Sequence, residues 1–352
     1  MRIETPDHDA TSIRSFDYEL PPSAIAQRPV EPRDAARLLI DGGPSAPPRH
    51  GHVHDLPDLV GPGDLLVVND TRVLPARLRL RKATGGQVEV LLLERLGDDR
   101  WEALVRPSRR VAAGVRLSAP AVEPGSPPIE LLEVGRALGE GRRMVTLLRP
   151  EAEVLAVGEV PLPPYIREPL ADAERYQTVY SRRPASVAAP TAGLHLTQDV
   201  LDRCVARGAT VATIELTVGL GTFRPITVND VTDHRVHTEH YRVSAETMDA
   251  VRSAPRVVAV GTTTVRALES AAVSGRLAGT TDLYIRRGHR FSVVGALLTN
   301  FHVPRSSLLV MIDAFVGPRW RDLYRSALLE GYRFLSFGDA MFLPGPPEPP
   351  PR

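Results

Sequence analysis

The chain has 352 residues, of which 43% are hydrophobic, and a formal net charge of +1. This is enough apolar material for one large domain or two medium ones, and it argues against a strongly basic protein that coats nucleic acid, though a local basic patch is still allowed. No apolar run approaches the ~20 residues that span a bilayer, the polar N-terminus lacks the apolar stretch of a secretory signal, and Cys204 is the only cysteine, so no internal disulfide forms.

These features predict a cytoplasmic protein that does not contact membranes. In chain order, residues 1–15 read as a frayed end. Asp41–Pro48 is a loop, and Pro62-Gly63-Asp64 is a turn that launches a short apolar strand at Leu65–Asn69. From 72 to 150 the texture changes. Strand-like runs at Val73–Leu80, Gln87–Glu94, Trp101–Arg106, Val115–Ser118, Ile129–Val134 and Met144–Leu148 alternate with Gly-rich turns. That spacing predicts a small antiparallel barrel or sandwich.

After Pro150 the pattern becomes mixed. Helices are predicted at Gln198–Ala206, Ala245–Ser253, Thr264–Ala272 and Trp320–Glu330, and strands at Thr210–Thr217 and Val257–Val260. Phe291–Thr299 and Ser307–Phe315 are apolar segments of either type. The predicted fold is α/β: a layered body over 1–71 and 151–343, an all-β barrel-like domain inserted at 72–150, and a disordered Pro-rich tail at 344–352.

Several segments place Gly, Thr, Pro, His and Asn at expected strand ends, where α/β folds bind ligands. They are VNDTRV (68–73), AAPTAGLH (188–195), GLGTF (219–223), GTTTVR (261–266), TNFHVP (299–304) and FGDAM (337–341). In the 261–266 segment a threonine N-cap would leave the helix N-terminus facing an anion. The plain alternative is a capped helix with Arg266 paired to Glu269. His195, at a strand-to-helix junction, suits a base or proton donor. HxxHxE at His234, His237 and Glu239 is not spaced for a metal on one helical face and reads as a polar loop. No GxSxG, GxxxxGK[ST] or GxGxxG pattern is present, which removes the main support for serine hydrolase, ATPase or dinucleotide-dependent readings. Arg106, Arg109 and Arg110, with Arg77, Arg79, Arg81 and Lys82, make the β domain locally basic, as a phosphate-tracking face would be.

Taken together, these motifs resemble the S-adenosylmethionine:tRNA ribosyltransferase-isomerases of queuosine biosynthesis, over roughly Phe16 to Leu343. The resemblance rests on FDYELP (16–21), GDLLVVNDTRVLPARL (63–78), PLPPYI (161–166), YQTVYS (176–181), AAPTAGLH, VGLGTFRP (218–225), HRVHTE (234–239), VGTTTVRALES (260–270), LLTNFHVPRSSLL (297–309) and YRFLSFGDAMFL (332–343). It implies transfer of the ribosyl part of S-adenosylmethionine (AdoMet) to a 7-aminomethyl-7-deazaguanine at the tRNA wobble position. The implied products are epoxyqueuosine, adenine and methionine. The implied route starts with loss of a C5′ proton beside the sulfonium.

On that reading His195, His302 and Asp339 are the candidate catalytic residues, with His195 the first choice as base or shuttle. Thr191, Gly193, Gly221, Thr222, Phe223, Thr262, Thr263, Arg266 and Asn300 are candidates for binding AdoMet. Arg106, Arg109, Arg110 and Lys82 are candidates for binding tRNA. AdoMet is a substrate, and neither a metal nor another cofactor is expected; the partners are tRNA and AdoMet, and the protein is expected to be a monomer. The chain departs from the family pattern at Ala36, Asp70, Leu196, Gly295 and above all Thr217, where the family commonly has histidine. That change removes an acid–base group just before GLGTF and leaves room for a paralogue acting on a small-molecule acceptor. A non-catalytic RNA-binding module is disfavoured, because the polar motifs gather in the α/β part.

Overall fold

A computed structural model describes residues 11–120, 127–219 and 225–345. The chain divides into two units. One comprises Met1–Arg72, Pro163–Arg183 and Ala189–Arg352; the other comprises Val73–Leu162 and Pro184–Ala188. No helix among the described residues is long and apolar enough to cross a membrane.

The larger unit is built on a nine-stranded mixed sheet. From edge to edge its strands are Ala278–Thr281, Glu239–Val243, Thr210–Leu216, Asp64–Asn69, Arg256–Val260, Ala296–Asn300, Ala340–Leu343, Arg37–Ile40 and Arg49–His52. The four strands from Thr210–Leu216 to Ala296–Asn300 are parallel. Their apolar runs are covered on both faces, as parallel strands require: all of Asp64–Asn69 and Ala296–Asn300 is buried. Leu66, Val68, Val258, Val260 and Leu298 pack against Val200, Leu201 and Cys204 of the Gln198–Ala206 helix. That helix opens where Thr197 accepts the Val200 N–H, an N-cap bond that satisfies one orphan donor. Burial pushes the Cys204 thiol up to about 11, so it packs as a protonated side chain.

The Thr262–Ser274 helix is buried on nearly every side over its first ten residues, which marks a central helix. It begins two residues earlier than expected, and its N-cap is Gly261, which supplies no side-chain bond. Thr264 instead donates its hydroxyl back to the Val260 carbonyl. Of the apolar Phe291–Thr299 segment only the end is strand, whereas Ser307–Val316 is a helix capped by Ser306.

The smaller unit contains a closed six-stranded barrel, in the order Arg142–Leu147, Arg100–Arg106, Gln87–Gly97, Arg77–Lys82, Arg116–Ser118 and Glu130–Gly139. Alternation builds it: Leu78 and Leu80 point inward while Arg79 and Arg81 face solvent. Closure leaves no sheet edge unpaired.

The N-terminal segment differs from the expected frayed end. From Thr11 onward it is tied down, with Ile13 and Phe16 buried and backbone bonds between Ile13 and Asn229 and between Thr11 and Val231. Residues 346–352 of the expected tail lie outside the described residues.

Candidate functional site

Three parallel strands end around one cavity of about 360 Å³ that opens to solvent and mixes apolar surface with hydroxyl, amide and imidazole groups. The end of Thr210–Leu216 leads to Val218, the end of Arg256–Val260 to Gly261, Thr262 and Thr263, and the end of Ala296–Asn300 brings Thr299, Asn300 and His302. Pro190, Thr191 and Ala192 close another side. The carboxyl ends of parallel strands are where an open α/β sheet leaves a crevice. The fourth parallel strand contributes from behind: Asn69 Nδ2 donates to the Leu216 carbonyl at 3.0 Å and to Thr263 Oγ1 at 3.4 Å. The sequence reading did not single out Asn69, although it heads the NDTR motif.

Asn300 is the hub. Its Oδ1 accepts from the Thr191 hydroxyl at 3.0 Å, and its Nδ2 donates to the Leu335 carbonyl at 3.3 Å. A carbonyl accepts only, so Leu335 fixes which end of the amide is Nδ2. The same Nδ2 lies 2.8 Å from His195 Nε2, so that nitrogen is the acceptor and the His195 proton resides on Nδ1. His195 itself does not line the main cavity. It faces a smaller one with Arg33, Arg175 and Ser336. Burial, then Arg333, Arg175 and Arg33, hold its pKa down to about 3, so the ring is neutral at physiological pH.

His302 does line the main cavity. Its Nε2 is 3.1 Å from Thr299 Oγ1, a hydroxyl able to donate or accept. Two tyrosines anchor its backbone: Tyr18 donates to the His302 carbonyl at 2.5 Å, and the His302 N–H donates to Tyr324 Oη at 3.0 Å. Burial alone lowers the His302 pKa to about 3. Neither tyrosine stood out as a site residue in the sequence, although Tyr18 stands in the FDYELP motif.

Two depressed histidines make stability depend on pH. Between about pH 6.5 and 3 the unfolded chain binds protons that the folded chain does not, so folding weakens as pH falls. The contribution is complete above about pH 6.5 and is lost on the way down to about 3. Urea midpoints measured from pH 7.5 to 4.5 should fall steeply for the wild type. They should fall less for His302→Asn; parallel curves would count against this origin.

The other candidates fall in several places. Thr191, Thr262 and Thr263 line the main cavity with Asn300 and His302. Arg266 lies one helical turn beyond Thr262 and faces a different, larger cavity, where it pairs with Glu239. Glu269, its expected partner, instead accepts the N–H groups of Ser292, Val293 and Val294. Gly193 faces protein: a Cβ there would lie 1.9 Å from Tyr180 Oη. Asp339 is 2% exposed and takes the backbone N–H groups of Arg37 at 2.9 Å and Arg333 at 2.7 Å. It therefore secures the start of the Ala340–Leu343 strand and lines none of these three cavities. Gly221, Thr222 and Phe223 lie outside the described residues. Thr217, just past a strand end, donates its N–H to the His240 carbonyl at 2.9 Å.

In the barrel unit, Lys82 Nζ donates to the Arg110 carbonyl at 3.3 Å, and Arg106, Arg109 and Arg110 are exposed. Buried Arg143 braces their turn by donating to the carbonyls of Val111 and Ser108. Among the described residues, His52, His54 and Asp55 form a cluster with metal-ligand spacing, whereas His234, His237 and Glu239 do not.

The model of the queuosine biosynthesis protein family matches residues 13–343. The chain belongs to that family. Members similar to it include the S-adenosylmethionine:tRNA ribosyltransferase-isomerases of Rubrobacter xylanophilus and Moorella thermoacetica. The first is 50% identical over 94% of this chain and 97% of its own length, the second 48% identical over 94% and 99%. Among solved structures, the S-adenosylmethionine tRNA ribosyltransferase of Thermotoga maritima matches with a TM-score of 0.53 and 34% identity, covering 93% of this chain and 99% of that one. The family assignment and the mixed sheet with its closed barrel agree with the reading of the sequence.

Proposed function

We propose that this protein transfers and isomerises the ribosyl group of AdoMet onto the 7-aminomethyl-7-deazaguanine at the wobble position of tRNA. The products are epoxyqueuosine-tRNA, adenine and methionine. The observation that carries this reading is the cavity at the three strand ends, in a chain that belongs to the queuosine family. That cavity combines neutral imidazole, hydroxyl and amide groups with a helix N-terminus lacking a side-chain cap.

The site's groups suit the donor. The methionine carboxylate is placed at the start of the Thr262–Ser274 helix, where free N–H groups and the helix dipole favour an anion. The hydroxyls of Thr191, Thr262 and Thr263 line the nucleoside portion. The C5′ proton goes to a neutral imidazole, and the geometry favours His302 over His195. His302 lines the cavity and its Nε2 meets a hydroxyl that can relay a proton, whereas His195 lies outside it with its Nε2 accepting from the Asn300 amide, which cannot. His195 becomes a positioning residue that holds Asn300. Transfer of the proton turns sulfonium into ylide as imidazole becomes imidazolium, so the net charge of the cavity does not change. Loss of the C4′–O4′ and glycosidic bonds opens the sugar and releases adenine, which takes up a proton. The acceptor amine adds at C4′, and C5′ bonds to C1′ to close the carbocycle. The former ring oxygen on C1′ then displaces methionine from C5′ to form the epoxide.

This chemistry needs no metal or further cofactor. The protein is taken to act as a monomer, and its substrates are those of a cytoplasmic reaction. On the tRNA side, Arg106, Arg109, Arg110 and Lys82 act as a phosphate-contacting face. Arg109→Ser with Arg110→Ser should weaken tRNA binding and reduce the slope of log K against log salt by about 1 per lost contact, with AdoMet affinity unchanged. An unaltered slope would remove this face from the interface.

Thr217 favours a second reading, in which the same AdoMet chemistry serves a small-molecule acceptor. One comparison separates the two: adenine release with tRNA bearing the aminomethyl base, with tRNA lacking it, and with the free base. Release confined to the modified tRNA is expected. Release with the free base alone points to the paralogue, and no release with any acceptor overturns both.

A further inference from the structure

The larger cavity, of about 440 Å³, is not used by the donor-binding scheme above. It lies beside the main one, and Leu308 lines both. Its walls combine flat and apolar groups with a buried charged pair. Tyr284 stands edge-to-face with His234, their ring centroids 5.5 Å apart, and Met311 and Leu308 add apolar surface. Glu239 and Arg266 are ion-paired there, with side chains 4% and 7% exposed. Carbonyls of Leu283 and Thr281 hold the Arg266 guanidinium in place. The Tyr284 hydroxyl oxygen is buried and has no hydrogen-bond partner among the described residues. A buried hydroxyl left unpaired is destabilising, and a ligand that bonds to it recovers that loss.

We propose that this cavity receives the acceptor base, a guanine-type 7-deazapurine turned out of the RNA strand. The inference rests on the transferase reading and specifies where its second substrate sits. A flipped base is read by hydrogen bonds to its Watson–Crick edge and by packing between aromatic and apolar side chains. The guanine-type edge offers N1–H and an exocyclic NH₂ beside a carbonyl oxygen. A carboxylate accepts from the first two and a guanidinium donates to the third, and Glu239 beside Arg266 supplies that set. Adenine presents a bare ring nitrogen at the same position, which a carboxylate would repel. The pair therefore selects the acceptor base over the donor's adenine. The shared wall at Leu308 places the acceptor next to the cavity where the ribosyl group is activated.

Two variants that leave the ion pair intact test this. Ser307 lies at the half-buried start of its helix and lines the cavity, so Ser307→Phe would fill the space. Tyr284→Phe removes only the hydroxyl. With the aminomethyl-tRNA as varied substrate, KM should rise at least about 10-fold for Ser307→Phe. For Tyr284→Phe it should rise about 2- to 10-fold, the value of one hydrogen bond. AdoMet affinity, read by equilibrium dialysis without RNA, should stay within 2-fold of wild type. If AdoMet affinity falls while the tRNA KM holds, the cavity seats the donor's adenine and the proposal is overturned. It is also overturned if neither quantity moves. A wild type that releases no adenine defeats the transferase reading separately. Binding of the free aminomethyl base to wild type and to Ser307→Phe then decides the pocket: loss in the variant supports it, and equal binding or none overturns it.

Discussion

His302→Ala is expected to lower the rate of adenine release by at least about 100-fold, the usual contribution of a positioned base, while AdoMet still binds. The reasoning is geometric before it is electrostatic. His302 follows the carboxyl end of a fully buried parallel strand and lines the main cavity. Tyr18 and Tyr324 hold its backbone, so the ring cannot drift with a loose loop. Burial leaves it unprotonated but also a weak base, so the driving force for transfer to Nε2, directly or through the Thr299 hydroxyl, comes from the acidity of C5′ beside the sulfonium. His195→Ala should also reduce turnover, but by releasing Asn300. His195→Gln, whose side-chain oxygen can accept the same Asn300 N–H, should therefore recover much of the loss. The corresponding His302→Gln should recover little. Equal rescue at both positions would place both histidines in structural roles.

Gly338→Ala is expected to destabilise the fold by about 3 kcal/mol, the upper part of the range for overpacking. A Cβ at 338 would sit 2.4 Å from the Arg333 carbonyl oxygen and 2.5 Å from the Phe334 carbonyl carbon, both backbone atoms. No rotamer relieves such a contact. The turn also carries the Leu335 carbonyl that orients Asn300 and the Arg333 N–H that holds Asp339. Loss of stability should thus come with loss of the Thr191–Asn300–His195 chain. Thermal unfolding and AdoMet binding, measured on one preparation, should both deteriorate. A melting temperature within about 1 °C of wild type would show that the turn relaxes freely.

Much of the fold was legible because its elements carry plain periodic signals. The barrel strands alternate, as in Arg77–Lys82, and the Gln198–Ala206 and Ala245–Ser253 helices are capped by Thr197 and Ser244. The unread strands are short or masked by charge. Glu239–Val243 buries every second residue, yet its first inward residue is a glutamate that becomes apolar-like only by pairing with Arg266. Arg49–His52 is an exposed edge with no apolar face.

The candidate site shows the same limit. Strand-end motifs indicated which segments converge, and Thr191, Thr262, Thr263, Asn300 and His302 do meet at one cavity. They could not indicate which nitrogen of His195 is occupied, because that depends on Asn300, 105 residues away in sequence. Nor could they show that each Asp339 oxygen is engaged by a backbone donor or that Arg266 faces a second cavity. Asn69 and Tyr18 stand in the NDTR and FDYELP motifs, but their roles, like that of Tyr324, rest on long-range bonds that no local pattern specifies.

The central claim is that this fold removes a C5′ proton from AdoMet and hands the ribosyl group to a modified base in tRNA. It is tested most directly by turnover with AdoMet carrying two deuterium atoms at C5′, followed by mass analysis of the nucleosides. The account predicts free adenine and an epoxycyclopentyl nucleoside retaining one of the two deuteriums. A product that keeps both, or a reaction that releases no adenine, would contradict it.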